Sequence, residues 1–396
     1  MADPVFLSYS WDDQTEVDEL DILLRLRGVP VWRDRREMRW GGYNEEVVRH
    51  AIRHGVAGFA LYLTPAALEG SWFIPKVELR AMDERRARDP TFFTGAIFRG
   101  YGATDGTKVV HERTGIDVGA TLGSVIEGNE LQAGLRAAAN AILREYVRSA
   151  WRSGPAVARV ETRDPLPTEE SSVVHLSLSP PLEHDPDRYD VAVWADQVVP
   201  ALDDLQHALH AIELATPACE RVLEISGAAH LSAALALGYS FRETTRWRLR
   251  VHHFGDVWET GRVEGDLDGW ECPPAGAGSD PTGDLVVMVH VSADVTNAVR
   301  ASAGGGPSRA ELHFRAPGGP GKLGLRPAAA NAAAAGIARA IRAARQDYAP
   351  AETRLYVAGP WPFAVLLGWH LGSVGPVVMH EATVARDSYR VSCVLT

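Results

Sequence analysis

Val5-Phe6-Leu7-Ser8-Tyr9-Ser10 is a short, mostly apolar run, and the residues from Asp18 to Leu26 place Leu20, Leu23, Leu24 and Leu26 at helical spacing. An apolar strand leading into an amphipathic helix is the first half of a βαβ unit. Gly28 stops the helix, and Val29-Pro30-Val31-Trp32 reads as the next strand. Tyr43 to His54 reads as a helix with Val47, Val48 and Ile52 inward, and Val56 to Leu63 as a fully buried strand. A strand over Thr91 to Phe98 and a long helix from about Asn129 to Trp151 complete the alternation. Such alternation gives a parallel sheet covered by helices on both faces, with ligands at the carboxyl ends of its strands.

Ser71-Trp72-Phe73-Ile74-Pro75-Lys76-Val77-Glu78-Leu79-Arg80-Ala81-Met82 carries the candidate chemistry. Ser71 reads as an N-cap and Pro75 belongs in a first turn, so a helix starts between Trp72 and Pro75. Val77, Met82 and the stem of Leu79 form its buried face. Glu78 then falls near the positive end of the helix dipole, a favourable place for an anion. A carboxylate there is a poor proton donor but a good partner for a developing cation. The plain alternative is a glutamate on a solvated face and a tryptophan that merely packs.

The chain has 396 residues, which points to two or three domains of about 150 residues each. Hydrophobic content of 46% and charged content of 23% are those of a globular protein with a core to bury. A net charge of −11 argues against broad binding to duplex DNA. Cys219, Cys272 and Cys393 are widely spaced and match no metal or disulfide pattern, so the reading is reduced thiols, no metal centre and a cytoplasmic protein. The first residues do not form a signal peptide, and no apolar run reaches the roughly 18 residues needed to cross a bilayer, so no membrane partner is expected.

Three pieces of the first 150 residues resemble a Toll/interleukin-1 receptor (TIR) domain. Val5 to Ser10 followed by Asp12 looks like that family's first-strand box. Gly28 to Asp34, then Gly41-Gly42 and a helix ending Ala51-Ile52, looks like its second strand and the loop after it. Ser71 to Glu78 with Trp72 is similar to the segment carrying the catalytic glutamate of NAD-cleaving TIR domains. The resemblance implies a flavodoxin-like parallel sheet, Glu78 as the catalytic carboxylate, and Ser10, Arg33, Asp34 and Trp72 around NAD+, which is substrate rather than cofactor. Many such enzymes place the glutamate four residues after the tryptophan, where this chain has Lys76, so Glu84 is the alternative carboxylate. A TIR fold also serves as a non-enzymatic adaptor, the rival reading.

Arg152-Ser153-Gly154-Pro155 and the polar stretch Thr162 to Ser172 read as a linker, dividing the chain into a first domain (1–151), a linker (152–171) and a second domain (172–396). The second domain holds a faint duplication. Val173 to Ser179 matches Val286 to Ser292, each an apolar strand ending on serine. Helical stretches follow, Gln197 to Leu214 and Pro327 to Tyr348. Then come the strands Val222 to Gly227 and Leu355 to Gly359, each stopped by glycine, apolar helices with glycine turns ending near Gly238 and Gly372, and strands Trp247 to His252 and Pro376 to Met379. The expected halves are 172–254 and 284–396, two doubly wound α/β units with an insert at 255–283. Serine or glycine at strand ends lets backbone amides and helix N-termini approach phosphates.

Ile225 to Ser232 with Gly238-Tyr239, and Gly359-Pro360 with Gly368 to Val378, resemble a SAVED domain, a fusion of two CARF-like (Rossmann-like) units that senses cyclic oligonucleotides in bacterial anti-phage systems. The pair of resemblances implies a TIR-SAVED fusion in which a cyclic oligoadenylate, such as cyclic tri-adenylate, switches on NAD+ cleavage through self-association into an oligomer or filament. The ligand contacts it implies are Ser179, Ser226, Gly227, His230, Ser292, Gly359, Trp361, Arg386 and Tyr389.

Overall fold

All four residues of β1 (Val5–Ser8) and all six of β3 (Gly58–Leu63) are buried, as strands covered by helices on both faces must be. The computed structural model describes residues 3–33, 45–118, 122–162, 172, 174–178, 189–274, 276–278, 280, 282–302, 308–319 and 325–396. Two compact units divide the chain, one mainly Met1–Val157 and the other mainly Arg221–Thr396.

In the first unit, β1 and β3 join β2 (Val31–Trp32), β4 (Phe93–Arg99) and β5 (Leu122–Ile126) in a parallel sheet of order β2-β1-β3-β4-β5. Its helices are α1 (Gln14–Leu26), α2 (Glu45–His54), α3 (Pro65–Glu69), α4 (Leu79–Arg86), α5 (Ala103–Thr114) and α6 (Leu131–Ala150). The pairs α1 with α6 and α2 with α4 pack together. Phe6 stacks between Trp32 and Phe59, with ring centroids 4.7 and 5.4 Å away. The chain leaves β1 for β2 on one side and returns to β3 on the other, so the carboxyl ends of β1 and β3 form the topological switch point where such sheets take ligands. One inward assignment fails: Val47 is exposed, and only Val48 and Ile52 of α2 are buried.

The rest of the chain is also α/β, with two further mixed sheets. One has the order β10-β9-β8-β6-β7 and comprises β6 (Gly154–Glu161), β7 (Val174–Ser177), β8 (Cys219–Ala228), β9 (Arg248–His253) and β10 (Asp256–Glu259). The other has the order β11-β13-β12-β14-β15-β16, from β11 (Gly276–Ala277), β12 (Asp284–His290), β13 (Ser308–Arg315), β14 (Thr353–Ala358), β15 (Val377–Ala382) and β16 (Tyr389–Leu395). The helices here are α7 (Val199–Ala215), α8 (Leu231–Ser240), α9 (Thr296–Ala301), α10 (Pro327–Tyr348) and α11 (Trp361–His370). Part of the expected linker is thus a strand: β6 alternates buried Ala156 and Ala158 with half-buried Val157, a period the flanking Gly-Pro conceals.

The duplication is present, but its first strands match differently than expected: β6, not β7, stands beside β8 as β12 stands beside β14, and β7 takes the place of β13. β8-α8-β9-β10 and β14-α11-β15-β16 each run strand, ten-residue helix, parallel strand, antiparallel strand. Gly238 is the eighth residue of α8 and Gly368 the eighth of α11, so Gly238 does not end its helix. Both glycines serve the crossing of the two helices. A Cβ on Gly238 would stand 2.0 Å from the Val365 carbonyl oxygen, and one on Gly368 2.1 Å from that of Leu235. The contact is reciprocal, as a two-fold relation between equivalent halves requires.

Candidate functional site

Ser8 closes β1 opposite Leu61 of β3 and so stands at the switch point. Its hydroxyl donates a 2.5 Å hydrogen bond to the Glu78 carboxylate, and the two residues are 1% and 5% exposed. Glu78 is the last residue of a π turn, Ile74–Glu78, closed by the Leu79 N–H donating to the Ile74 carbonyl and continuing into α4. Ser71 Oγ accepts from the Ile74 N–H at 3.3 Å, and Pro75 sits at the turn's start, where a missing N–H is tolerated. The expected ordinary helix start is therefore replaced by a wider turn, and that turn aims Glu78 at β1. Wide turns of this kind recur at functional sites. Glu84 instead takes two hydrogen bonds from Arg53 of α2, at 2.5 and 3.1 Å.

Trp72 is 62% exposed and meets the buried Phe73 edge-on at 5.5 Å, so it is surface and not core. Ser10 caps the short turn after β1, accepting from the Asp12 N–H at 3.4 Å. Arg33 is buried and committed: it donates to Asp18 at 2.6 Å, Asp21 at 3.3 Å and the Tyr9 hydroxyl at 2.9 Å. Those partners hold its guanidinium above its usual range against the opposing effect of burial. Asp34 lies outside the described residues. Ser8, which the sequence reading passed over, is the residue brought to Glu78; its only signal was a hydroxyl closing the first strand.

A cavity of about 870 Å³ opens along the same carboxyl rim at the ends of β3, β4 and β5, lined by Asp13, Glu16, Thr64, Arg99 and Tyr101 among others. Glu78 is not in its wall. Burial raises the Asp13 carboxyl, against the 2.6 Å hydrogen bond from Thr64 and with the help of the Glu16 charge. Tyr62 donates to Glu16, and burial together with that carboxylate pushes its phenol upward.

In the second unit, β8 carries Ser226 and Gly227, and His230 is the N-cap of α8, its N–H donating to Thr162 Oγ1 at 2.7 Å. Gly227 is explained by packing: its φ is +114° and a Cβ would stand 2.2 Å from the Val160 carbonyl oxygen of β6. The expected anion site at the start of α8 is occupied from within. Glu381 of β15 accepts from the Ser232 N–H at 2.8 Å and the Ser232 hydroxyl at 2.6 Å, and is 6% exposed.

The second half answers in kind. Trp361, the first residue of α11, is 7% exposed and its indole N–H donates to His253 Nδ1 of β9 at 3.2 Å, so each half's central helix begins against a strand of the other half. Ser292 is exposed just after β12, and Gly359 follows β14, where a Cβ would stand 3.3 Å from the Val291 side chain. Tyr389 is buried, edge-on to Tyr356 at 5.4 Å under α9, and burial raises its phenol. It is a core residue. Arg386 is exposed in the β15–β16 turn with φ +59°. Ser179 lies outside the described residues.

A TIR domain family model matches residues 5–101, and the model of the SMODS-associated and fused to various effectors sensor domain, SAVED, matches residues 205–395. The chain is a TIR-SAVED fusion. No curated protein matches it. Among solved structures, the Acinetobacter baumannii Cap4 SAVED/CARF-domain receptor with the cyclic trinucleotide 3'3'3'-cAAA is 13% identical over 88% of this chain and 84% of its own, with a TM-score of 0.48. The Moraxella osloensis Cap4 receptor is 13% identical over 89% and 84%, with a TM-score of 0.43. Among the described residues of this fusion, no helix is long and apolar enough to cross a membrane and no group of His, Cys, Asp or Glu could hold a metal ion.

Proposed function

We propose that the TIR unit cleaves NAD+ between nicotinamide and ribose, and that a cyclic oligoadenylate bound by the SAVED unit switches this on in anti-phage defence. The observation that carries the reading is the Ser8–Glu78 pair, a buried carboxylate held by a hydroxyl at the switch point of a parallel sheet. In the reaction the C1′–N bond breaks, nicotinamide departs with the bonding pair as a neutral molecule, and positive charge gathers on the ribose. No general acid is needed for that departure. Glu78 stabilises the oxocarbenium-like transition state, Ser8 fixes its carboxylate, and water adds at C1′ and loses a proton to give an ADP-ribose product. Exposed Trp72 supplies an aromatic wall.

At 5% exposure Glu78 is closed to a dinucleotide, which supports a resting state that must be opened. Signal binding brings protomers together, and tethering turns weak TIR–TIR contact into a local encounter at high effective concentration. Head-to-tail contact that does not close gives a filament. The test is consumption of a fluorescent NAD analogue, with light scattering, against a panel of cyclic di-, tri- and tetra-adenylates. Cleavage that appears together with assembly supports the proposal. Cleavage by strictly monomeric protein would end the assembly step, and a TIR unit acting as a non-enzymatic scaffold would leave the analogue intact.

A further inference from the structure

We propose that the tips of two equivalent hairpins, Phe254 between β9 and β10 and Arg386 between β15 and β16, hold the nucleotide signal, and that the N-termini of α8 and α11 do not. The inference deepens the reading of the SAVED unit as the signal receptor and rests on it.

Doubly wound sheets commonly bind phosphate on the free N–H groups of a helix start, and here each start has donors already taken or missing. At α8, the Ser232 N–H and hydroxyl both point at the buried Glu381 carboxylate, and Ser392 Oγ lies 2.7 Å from Ser232 Oγ. A phosphate arriving there meets a buried carboxyl group that already holds both Ser232 donors. At α11, Pro362 has no N–H, and the Phe363 N–H is spent on the Pro360 carbonyl at 3.0 Å.

The hairpin tips are open instead, and each, though the loops differ in length, holds a side-chain-bearing residue in the left-handed region. His253 pairs with Asp256, which leaves Phe254-Gly255 as a two-residue loop with φ values of +49° and +85°. Such a loop favours Asn, Asp or Gly at its first position. Phe254 is 92% exposed, its ring tilted at 48° against that of its neighbour His253, 4.2 Å between centroids. In the equivalent hairpin Arg386 is also left-handed, at φ +59°, and exposed. Left-handed backbone strains a residue with a Cβ, and neither side chain repays the fold through burial.

Both tips project from the carboxyl ends of strands that run parallel to a neighbour, β9 beside β8 and β15 beside β14, the rim on which such sheets take ligands. A phenyl face stacks on a base, and a guanidinium grips a phosphodiester through paired N–H donors. The two together fit a nucleotide that offers both groups.

Phe254→Asn and Arg386→Asn separate a binding role from a structural one, because asparagine suits a left-handed position better than either native residue. Binding of fluorescent cyclic di-, tri- and tetra-adenylate to the full chain is measured at high dilution, beside urea unfolding of the free protein. The expected result is unchanged or raised stability with affinity for the bound nucleotide lowered about fivefold to a hundredfold in each variant, and near-native affinity in Phe254→Trp. Native affinity in both Asn variants would overturn the proposal while leaving the receptor reading intact. So would loss of self-association at native affinity, which would assign the tips to a second copy of the chain. Failure of the unaltered protein to bind any of the three would remove the receptor reading and this proposal together.

Discussion

Gly238→Ala and Gly368→Ala test the two-fold organisation of the SAVED unit. Each new methyl would lie 2.0 or 2.1 Å from a carbonyl oxygen of the opposing helix, and the next neighbours, the backbone nitrogens of Trp369 and Tyr239, are 2.9 and 3.0 Å away. Carbon–oxygen contacts settle at about 3.3 Å or beyond, so α8 and α11 must part by about 1 Å, and the obstacles are backbone atoms that no rotamer change can move. Overpacking of this kind costs about 1–3 kcal/mol, with the upper end apt for a backbone clash, while alanine returns about 1 kcal/mol of helix propensity. Each single variant is therefore expected to lose about 2 kcal/mol, roughly a thirtyfold change in the folded-to-unfolded ratio. Once one methyl has spread the helices the second occupies the same gap, so the double variant should lose about 1 kcal/mol less than the sum. Urea titration reads this out through the buried indoles of Trp369 and Trp247, joined at the crossing by a 2.9 Å hydrogen bond from the Trp369 N–H to the Trp247 carbonyl. A neutral or stabilising single variant, or losses that add in full, would refute the close reciprocal crossing.

Other expectations follow from single side chains. Ser8→Ala removes the hydroxyl from a buried carboxylate, and with hydrogen bonds to charged groups contributing about 1.5–3 kcal/mol, signal-dependent NAD+ cleavage should fall tenfold or more without loss of signal binding. His290, His370 and His380 are each pushed down to about 4 by burial. Because the unfolded chain takes up these protons below about pH 6.5 while the folded chain resists until about pH 4, stability should be full above pH 6.5 and fall steadily from 6.5 towards 4, by an order of 3 kcal/mol per histidine. His380, whose two ring nitrogens have no hydrogen-bond partner among the described residues and whose ring stacks on Tyr356 at 4.4 Å, gives the cleanest case. His380→Phe should lessen that fall, measured as urea midpoints at pH 7 and pH 5.

The sequence declared its architecture where apolar periodicity was strong. β1 and β3 are mostly apolar runs, β4 holds the apolar stretch Ala96 to Phe98, and α6 is long and amphipathic, so the parallel sheet was legible. α5 and β5 were not. α5 buries only Gly106 and Val110, and β5 leaves Gly123 and Val125 exposed at the sheet edge, so neither carries a period. The duplication was visible from β8 and β14 onward, but β6, hidden behind Gly154-Pro155, is the counterpart of β12 in place of the expected β7, and Gly238 read as a helix stop because a glycine demanded by a neighbouring helix looks the same in sequence as one demanded by a turn. The same ambiguity hid the phosphate question. Ser226-Gly227 and the start of α8 look like an anion site until Glu381, about 150 positions later, fills it and the backbone of β6 accounts for Gly227. Glu78 could be read from its segment, but Ser8 could not, since the hydrogen bond between them spans 70 residues.

The most direct measurement is NAD+ turnover by Glu78→Gln in the full chain, with the cyclic nucleotide that activates the unaltered protein present at saturation. The amide keeps the shape of the side chain and can still accept from Ser8, but it cannot neutralise a cationic ribose. Signal binding and assembly should persist while nicotinamide release falls by at least two to three orders of magnitude, the scale set by removing a single preorganised electrostatic contact. Turnover within a few-fold of the unaltered protein would contradict the assignment of this carboxylate as the group that steadies the transition state.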